Sequence, residues 1–350
     1  AMDVVSKSQV DKAGKILRDA NASGQERQAA IATVASWRKL HATPLIGINM
    51  LMRRVLAKKS YKDAIIAQRL KRMPSIVEKL FRYPQMGASR MQDIGGVRII
   101  VDSIQDVRDL NESLYDLKRS RHQLQEPAKD YIANPKADGY RSLHRVFRYV
   151  GTNKLFHGLH IELQIRTRLQ HAWATAVETL GLIEGTSFKT GYGDKSFKRF
   201  FRLASALFSL DEGQPLVEAC RNYSAQELVR EFNWLDNELQ ATARLDNLTV
   251  TTPRLEKLDG AMEYDFVVLW LKKLSSTKAR LFWQGFRKDN DFMAESLYKQ
   301  LEQESANDPS VSVVLVSTRS VLELKKAYPN YYLDASLFLE NIRRVCRKYA

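Results

Sequence analysis

Two strand-like runs constrain the fold more than any other feature of this chain. Residues 142–149 and 155–165 both have strand-like patterns, and Gly151-Thr152-Asn153 separates them with residues typical of a hairpin turn. Residues 97–101 form a mostly β-branched run of the kind found in a buried strand. Because helical patterns flank these strands and one strand pair is antiparallel, the sequence predicts an α+β fold, with a mixed sheet flanked by helices.

Helical periodicity occupies most of the remaining chain before residue 250. The spacing of apolar residues predicts helices over residues 3–20, 24–40, 49–72, 76–82 and 104–119. Pro74 lies near a first helical turn, where its missing N–H costs little. Ser103 and Thr167 each stand where a helix is predicted to begin, and both are suited to cap it.

The character of the sequence changes at Thr251-Thr252-Pro253, so we expect two domains, residues 1–250 and 251–350. Beyond this boundary the patterns predict a small ββαβα(α) unit, with elements at residues 265–271, 280–286, 291–304, 311–316, 321–327 and 335–347. The second domain is therefore expected to be compact and separate in composition from the first.

Composition excludes several classes of protein. No run of about eighteen apolar residues exists, so we expect no membrane span. Two cysteines, Cys220 and Cys346, cannot form a disulfide framework or a zinc site, and a reducing cytoplasm is the expected setting. The oligomeric state stays open.

The net charge points to a large polyanion. The chain carries a formal charge of +15, and ten Lys or Arg residues lie between residues 53 and 82. A small nucleotide needs only a local basic site, whereas an excess spread along a chain is typical of RNA-binding proteins. The alternative is an ordinary solvated helical face.

A motif at residues 129–144 combines a flexible backbone, an aromatic ring and several cations. Gly139 allows the chain to bend beside Tyr140. The groups that are or can become cationic are Lys129, Lys136, Arg141 and His144. Such a segment is suited to hold a polyphosphate while the tyrosine stacks on a base.

Two carboxylates are candidates for binding a metal ion. Asp93 precedes a glycine-flanked strand entrance, and Glu162 begins the alternation that places Gln164 and Arg166 on the same strand face. Mg²⁺ prefers oxygen ligands and keeps several waters, so two carboxylates together with a bound polyphosphate can hold it. Taken alone, each carboxylate is weak support for a metal site.

The donor side of this pattern resembles the synthetase core of the RelA/SpoT family. Residues 69–79 match the family segment Arg-x-Lys-x-x-x-Ser-Ile-x-x-Lys position by position. The resemblance implies that ATP is bound by Arg69, Lys71, Ser75 and Lys79. Asp93 and Arg98 match the family's Asp-Ile-x-Gly-x-Arg, which implies that Asp93 holds Mg²⁺ and Arg98 faces the nucleotide.

The same resemblance implies roles on the acceptor side. Tyr140 corresponds to the tyrosine that stacks on the acceptor base, and Glu162 to the glutamate that touches the metal and orients or deprotonates the attacking hydroxyl. The groups expected to contact phosphates or the nucleotide are Lys136, Arg141, His144, Gln164 and Arg166. We therefore predict an ATP-dependent pyrophosphokinase whose catalytic residues are Asp93, Tyr140, His144 and Glu162.

Two acceptors are possible for such an enzyme. The charge favours the 3′ end of tRNA, whose modification blocks translation, and the alternative is an alarmone synthetase that uses GDP or GTP. A third interpretation is a non-catalytic RNA-binding module with the same fold. None of the six histidines is followed by aspartate, so the family's hydrolase pair is missing.

The C-terminal part resembles the regulatory region of CapRel-like fused toxin–antitoxins. These proteins carry Tyr-x-x-Tyr near their end, and Tyr328 and Tyr331 provide this spacing here. The resemblance implies that the two tyrosines plug the adenine site and that a phage coat protein releases the enzyme as part of antiviral defence. The alternative is that both tyrosines are ordinary core or cap residues.

Overall fold

The computed structural model describes residues 5–58, 61, 63–117, 120–184, 195–251, 264–275, 277–305, 308, 310–317, 325, 328–332 and 334–350. Its helices are α1 (Lys7–Arg18), α2 (Gly24–Leu40), α3 (Ala42–Lys58), α4 (Met73–Arg82), α5 (Ile104–Tyr115), α6 (Arg168–Glu184), α7 (Lys195–Asp211), α8 (Ala225–Leu239), α9 (Ala241–Asp246), α10 (Asp291–Glu304) and α11 (Ser336–Tyr349). Among these residues, no helix combines the length and the hydropathy needed to cross a bilayer.

One nine-stranded mixed sheet runs through the molecule. Its strands are β1 (Ile65–Leu70), β2 (Gly95–Val101), β3 (Gln123–Asp130), β4 (Leu143–Arg148), β5 (His160–Thr167), β6 (Thr249–Thr251), β7 (Phe266–Lys273), β8 (Lys278–Phe286) and β9 (Val311–Ser317). They are ordered β3-β4-β5-β2-β1-β9-β7-β8-β6. The α+β class is therefore confirmed, with helices on both faces of the sheet.

Local sequence explains why several elements begin and pair as they do. The predicted hairpin is confirmed, because β4 and β5 are antiparallel neighbours. Ser103 caps α5 through a reciprocal pair of hydrogen bonds with Asp106. Thr167 and Gln170 make the corresponding pair at the start of α6. Each cap satisfies N–H groups that have no partner within their own helix.

The helix predicted over residues 49–72 is wrong in its second half. Helix α3 ends at Lys58, and Ile65–Leu70 forms strand β1, which pairs with β2 on one side and β9 on the other. The isoleucines at the start of β1 favour a strand, and both faces of β1 are covered by other elements. Pairing with two neighbours therefore overrides the helical spacing, and it places Arg69 on a strand.

The strands after residue 264 continue the same sheet. β7 is antiparallel to both β8 and β9, and β9 joins β1 where Gln68 pairs with Ser317 and Arg69 with Val316. The predicted boundary falls on residues 252–263, which lie outside the described residues, as does the helix predicted over residues 321–327 apart from Lys325. The division into two domains stays a prediction.

Helix α11 returns to the first part of the chain. Its buried residues Phe338, Leu339, Ile342 and Val345 belong to the same apolar core as residues of α6, α7, α8 and α9. Tyr328 and Tyr331 lie between β9 and α11 in the sequence.

Candidate active site

One face of the sheet centre carries the polar residues that the sequence analysis singled out on β2, β4 and β5. Arg98 of β2 lies opposite Gln164 of β5, and His144 of β4 lies opposite Gln164 on the other side. Glu162 and Arg166 stand two residues before and after Gln164. Because paired residues of neighbouring strands project to the same side and alternate residues of a strand share a face, all five side chains lie on one face.

Asp93 lies at the entrance of β2 between two lysines of the predicted donor motif. Lys71 Nζ is 3.0 Å from Asp93 Oδ2, and Lys79 Nζ is 2.8 Å from Oδ1. Burial by itself would raise the pKa of Asp93, but Lys71 and Lys79 outweigh it and hold the pKa below its ordinary value, against the charge of Glu162. The metal site shared by Asp93 and Glu162 stays a prediction.

The donor set at this position suits a magnesium ion. Within the described part of the chain, no group of three or more His, Cys, Asp or Glu side chains could hold a metal. Two carboxylates, Asp93 and Glu162, are nevertheless sufficient when the remaining ligands are water and phosphate oxygens. Lys71 and Lys79 now neutralise Asp93, so a cation at this carboxylate would free both lysines to face phosphates.

A hydrogen-bonded chain connects the aromatic platform to the second carboxylate. Tyr140 Oη lies 2.9 Å from His144 Nε2, and His144 Nδ1 lies 2.9 Å from Glu162 Oε1. The amide of Gln164 donates to Glu162 Oε2 at 2.8 Å. Every oxygen of Glu162 is thus oriented by a neighbour.

The chain also determines the charges of its members. Burial opposes the charged form of His144, but Tyr140 and Glu162 raise its pKa to about 9. Glu162 is buried, yet His144 and Gln164 lower its pKa far below the ordinary value. His144 is therefore cationic near neutral pH, and it donates to Glu162 from Nδ1 and to Tyr140 from Nε2.

Three arginines lie on neighbouring strands of this face, Arg69 on β1, Arg98 on β2 and Arg166 on β5. Burial and then the charge of Arg98 lower the pKa of Arg166 to about 9. Glu178 of α6 acts in the opposite direction on all three. A further anion, such as a nucleotide phosphate, would stabilise three guanidinium groups that lie on one face.

Gly139 sets the position of Tyr140. Its φ of +94° lies in the left-handed region, and a Cβ added there would approach Ser205 Cβ to 3.0 Å and Trp173 to 3.2 Å. Ser205 Oγ donates to the Gly139 carbonyl at 2.6 Å. Trp173 is buried and donates to the Phe201 carbonyl at 2.7 Å. Helices α6 and α7 therefore fix the loop that presents Tyr140.

A second tyrosine completes the platform, and the sequence analysis did not assign it a role. The rings of Tyr131 and Tyr140 meet at 6.2 Å and 66°. Lys136 Nζ lies 4.3 Å from the centroid of Tyr131 and 5.0 Å from that of Tyr140. Tyr131 could have been found from its place in the same motif, four residues before Pro135.

Arg141 is not brought to the rest of the cluster. It is 2 % exposed, and its Nη1 bonds Glu212 Oε2 at 2.5 Å. Thr167 and Gln170 also hydrogen-bond Glu212. In this conformation Arg141 anchors the end of the motif to α7, which leaves its predicted phosphate contact unsupported. No signal in the sequence singles out Glu212, because it follows α7 in an unremarkable segment.

Ser75 lies in the first turn of α4, on the same helix as Lys79. Helix α4 begins two residues after Lys71, so the donor motif extends from the end of β1 into α4. The four residues expected to bind ATP are therefore carried by two consecutive elements and the short connection between them.

Tyr328 and Tyr331 lie against two of the predicted donor cations. Both are buried, at 3 % and 2 % exposure. Tyr328 Oη donates to the Gln68 carbonyl at 2.9 Å, and the Arg98 guanidinium lies 5.8 Å from the Tyr328 ring centroid. Both tyrosines also act electrostatically on Arg69. They belong to the apolar core formed with β7 and β9, and their regulatory role stays a prediction.

A sheet face with two carboxylates, clustered cations and an aromatic platform defines an enzyme that transfers phosphoryl groups. Residues 68–180 match the region found in RelA / SpoT proteins. Over 153 residues the chain is 34% identical to the GTP pyrophosphokinase YjbM of Bacillus subtilis (strain 168). The matched residues are 42% of this chain and 68% of that protein. The chain therefore belongs to the RelA/SpoT family, and it is an enzyme of the pyrophosphokinase class.

Further similar proteins cover different shares of the chain. Identity is 34% over 113 residues to the GTP pyrophosphokinase YwaC of Bacillus subtilis (strain 168), covering 31% of this chain and 52% of that protein. The probable GTP diphosphokinase RSH3, chloroplastic, of Arabidopsis thaliana is 30% identical over 123 residues, which are 35% of this chain and 16% of that protein. The crystal structure of small alarmone synthetase 1 from Bacillus subtilis bound to its product pppGpp is 26% identical, with a TM-score of 0.44, and covers 51% of this chain and 94% of that chain.

Proposed function

We propose that this enzyme transfers pyrophosphate from ATP to the ribose 3′-hydroxyl of GDP or GTP. The observation that carries the proposal is the hydrogen-bonded chain from Tyr140 through His144 to Glu162, which connects a ring suited to base stacking to a buried carboxylate. The names of the relatives, GTP pyrophosphokinase and GTP diphosphokinase, support a guanine nucleotide as the acceptor.

The acceptor site is built around Tyr140. A base stacked on this ring directs its ribose toward Glu162, and the exposed Lys136 can move from the ring to the acceptor's 5′ phosphates. Because the pKa of Glu162 is far below its usual range, this carboxylate is a weak base. We infer that Glu162 orients the 3′-hydroxyl by accepting its hydrogen bond.

The donor site is built from the cations of β1, β2 and α4. Arg69, Lys71 and Lys79 neutralise the phosphate oxygens of ATP, and Arg98 and Arg166 add charge from the sheet. The 3′ oxygen forms a bond to the β-phosphorus as the bond from that phosphorus to the bridging α–β oxygen breaks. AMP leaves with the bridging oxygen, and the proton of the hydroxyl is released to water. Asp93 and Glu162 would hold Mg²⁺, which supplies charge stabilisation to the transferred group when bound.

The C-terminal segment regulates this site in our proposal. Tyr328 donates to the carbonyl of Gln68 and lies near Arg98, and both tyrosines raise the pKa of Arg69, so a bound ATP and the tyrosine segment would compete for the same groups. An intramolecular competitor acts at high effective concentration. The structure would then represent a resting state of low activity.

The 3′ end of tRNA is a second candidate acceptor. The formal charge of +15 favours it, because a long polyanion gains affinity from many cations. Part of the basic stretch is already used within the protein, however. Lys71 and Lys79 pair with Asp93, Arg72 donates to Ser312, and Arg82 pairs with Glu78. These contacts weaken the case for a continuous RNA surface.

If tRNA is the acceptor, the enzyme acts as a toxin that halts translation. The resemblance to CapRel-like proteins then extends to a phage coat protein as the trigger, binding the C-terminal strands in the cytoplasm. Trp270 and Phe282 stack at 5.4 Å on this unit and are both partly exposed. In this second candidate function, Trp270 and Phe282 are the aromatic pair on which the coat protein would dock.

Radiolabelled ATP tests the proposal directly. The full chain is incubated with Mg²⁺ and label in the β- and γ-phosphates, with GDP, GTP or bulk tRNA in separate reactions. We expect label in the guanine nucleotide, and label in RNA alone would establish the second candidate. Absence of transfer to all three acceptors, including in the Tyr328→Ala variant, would contradict both.

A further inference from the structure

The first turn of α4 is held by residues from the far end of the chain. The backbone N–H of Met73 donates to Glu302 Oε1 of α10 at 2.8 Å. The side chain of Arg72, which precedes the helix, makes no capping hydrogen bond. An N-terminal N–H has no partner within its own helix, so Glu302 caps α4 from an element more than two hundred residues away.

Glu302 is surrounded by a compact polar network. Arg38 Nη1 of α2 lies 3.8 Å from Glu302 Oε2, and the two side chains are 9% and 13% exposed. Tyr298 donates its hydroxyl to Glu302 Oε1, and the Arg38 guanidinium lies 4.4 Å above the Tyr298 ring. Removing the carboxylate would leave a nearly buried guanidinium without its counter-charge, which is costly for the docked state.

The same turn of α4 makes a second contact with the C-terminal strands. Arg72 Nη1 donates to Ser312 Oγ of β9 at 2.6 Å. Ser312 Oγ lies 3.4 Å from Tyr331 Oη, so this contact reaches the tyrosine segment. Helix α4 also carries Ser75 and Lys79 of the donor motif. One helix end is therefore tied both to α10 and, through Ser312, to the residues over the donor site.

The described strand pairs join the C-terminal strands closely to one another. β7 pairs with β8 from Phe266 to Lys273, and with β9 from Val267 to Lys272. Among the described residues, β9 pairs with β1 at Gln68 and Arg69. Helix α10 packs on β7 and β9, so these elements form one unit that meets the rest of the sheet at β1.

We propose that Glu302 is an autoinhibitory latch, whose carboxylate fastens α10 to the first turn of α4 and keeps the tyrosine segment over the donor site. The latch rests on the proposed function, since it regulates the same site. When it opens, water solvates Glu302, Arg38 and the Met73 N–H. Loss of the carboxylate favours the open state.

The test uses the full chain with Glu302→Ala and the isosteric Glu302→Gln. Glu302→Gln keeps an acceptor for the Met73 N–H and loses the charge that faces Arg38, so its effect should be the smaller of the two. Glu304→Gln is the matched control, because Glu304 is exposed on the same helix and contacts only Gln300 among the described residues. Amide hydrogen exchange in residues 73–76 and 311–317 and transfer from labelled ATP are both measured.

We expect Glu302→Ala to speed exchange in both segments and to raise basal transfer by roughly tenfold or more, the range of a hydrogen bond to a charged group. Glu304→Gln should behave as the wild type does. Unchanged exchange in both Glu302 variants would overturn the latch.

The Tyr328→Ala variant distinguishes failure of the Glu302 latch from failure of the proposed function. If this variant is activated while Glu302→Ala exchanges faster without any gain in transfer, Glu302 is a structural cap and the latch is refuted. If no variant transfers pyrophosphate, the proposed function fails. Exchange then decides separately whether Glu302 holds the C-terminal unit.

Discussion

Glu162 owes its charge to the side chains that touch it. His144 and Gln164 occupy its two oxygens, and the low pKa that results keeps the carboxylate ionised although it is buried. A buried carboxylate without such partners would be neutral at pH 7. The same contacts that make Glu162 a suitable metal ligand therefore also make it a weak proton acceptor.

Replacement of Glu162 by glutamine tests its charge rather than its shape. Glu162→Gln should lower pyrophosphate transfer by roughly a hundredfold or more, because an amide can neither balance the charge of a cation nor align the hydroxyl as strongly. Transfer from labelled ATP measures the effect. Glu78→Gln is the control, since Glu78 is exposed on α4 and pairs only with Arg82 among the described residues. Activity near that of the wild type would exclude Glu162 from the site.

Gly139 is a position where the Cβ atom of any other residue would disturb the packing around Tyr140. Gly139→Ala should lower stability and transfer together, because its Cβ meets Ser205 at 3.0 Å in a left-handed conformation. Gly213→Ala has a similar φ of +62° but no atom within 4 Å, so it should cost only the backbone strain of about 1–2 kcal/mol. Urea unfolding of both variants gives the comparison. An equal loss in both would show that the contact with Ser205 is harmless.

Strand β1 shows that pairing with neighbouring strands can decide the secondary structure of a segment. Its residues were predicted as helix, and only pairing with β2 and β9 makes them a central strand. By contrast, β2, β4 and β5 follow from β-branched runs and alternation, which are local signals. Strand β1 lacks such a local signal, and the sequence analysis made no strand prediction for β3 or β6 either.

Helix α11 is fastened to α7 by an acid that titrates at low pH. Arg344 Nη2 lies 2.6 Å from Asp211 Oδ2, and Lys348 Nζ lies 2.9 Å from Oδ1. The hydrogen bond from Arg344 is the main cause that lowers the pKa of Asp211 below its ordinary value of 3.8. The stabilisation is therefore complete above that value and is lost as the pH falls through the lower pKa of the folded state.

Asp211→Asn should accordingly destabilise the protein at neutral pH by a small amount, since both cations are about half exposed. The difference from the wild type should shrink as the pH falls below 3.8. Urea midpoints at several pH values measure it. Asp246→Asn is the control, because Asp246 and its partner Arg343 on α11 are both more exposed. A difference that grows toward acid pH would contradict the assignment.

The arrangement of the sheet places Tyr328 beside the predicted donor cations. β9 joins β1, which carries Arg69, and Tyr328 lies near Arg98 of the neighbouring strand β2. Helix α11 follows Tyr328 in the chain and shares an apolar core with α6 and α7. A segment of the same chain acts at high effective concentration on a site that it can reach, and this is the physical basis of the inhibition that we propose.

Substitutions of Tyr328 test the proposed inhibition. Tyr328→Ala should raise basal transfer by roughly tenfold or more, because the ring and its hydrogen bond to the Gln68 carbonyl are both removed. Tyr328→Phe retains the ring near Arg98 and loses only the hydroxyl, so it should give a smaller increase. Transfer from labelled ATP is the measurement. Activities of both variants below that of the wild type would show that Tyr328 supports the fold and does not inhibit the enzyme.

Much of the site was predictable because its motifs are contiguous. Residues 69–79, 93–98 and 162–166 each carry several functional groups within a few positions, so local spacing identified them. Arg141 is an exception, because its partner Glu212 lies far along the chain. Tyr131 belongs to the motif at residues 129–144, but its place beside Lys136 and Tyr140 became visible only in the structure.

The sequence motifs and their order were enough to predict the class of this protein and the types of residue that carry its chemistry. Both depend on short segments in which the functional residues are only a few positions apart. Which charges face one another depended on strand register and on contacts between distant segments, such as Met73 with Glu302. Such contacts depend on the packing free energy of many residues together, and a local sequence pattern does not predict that free energy.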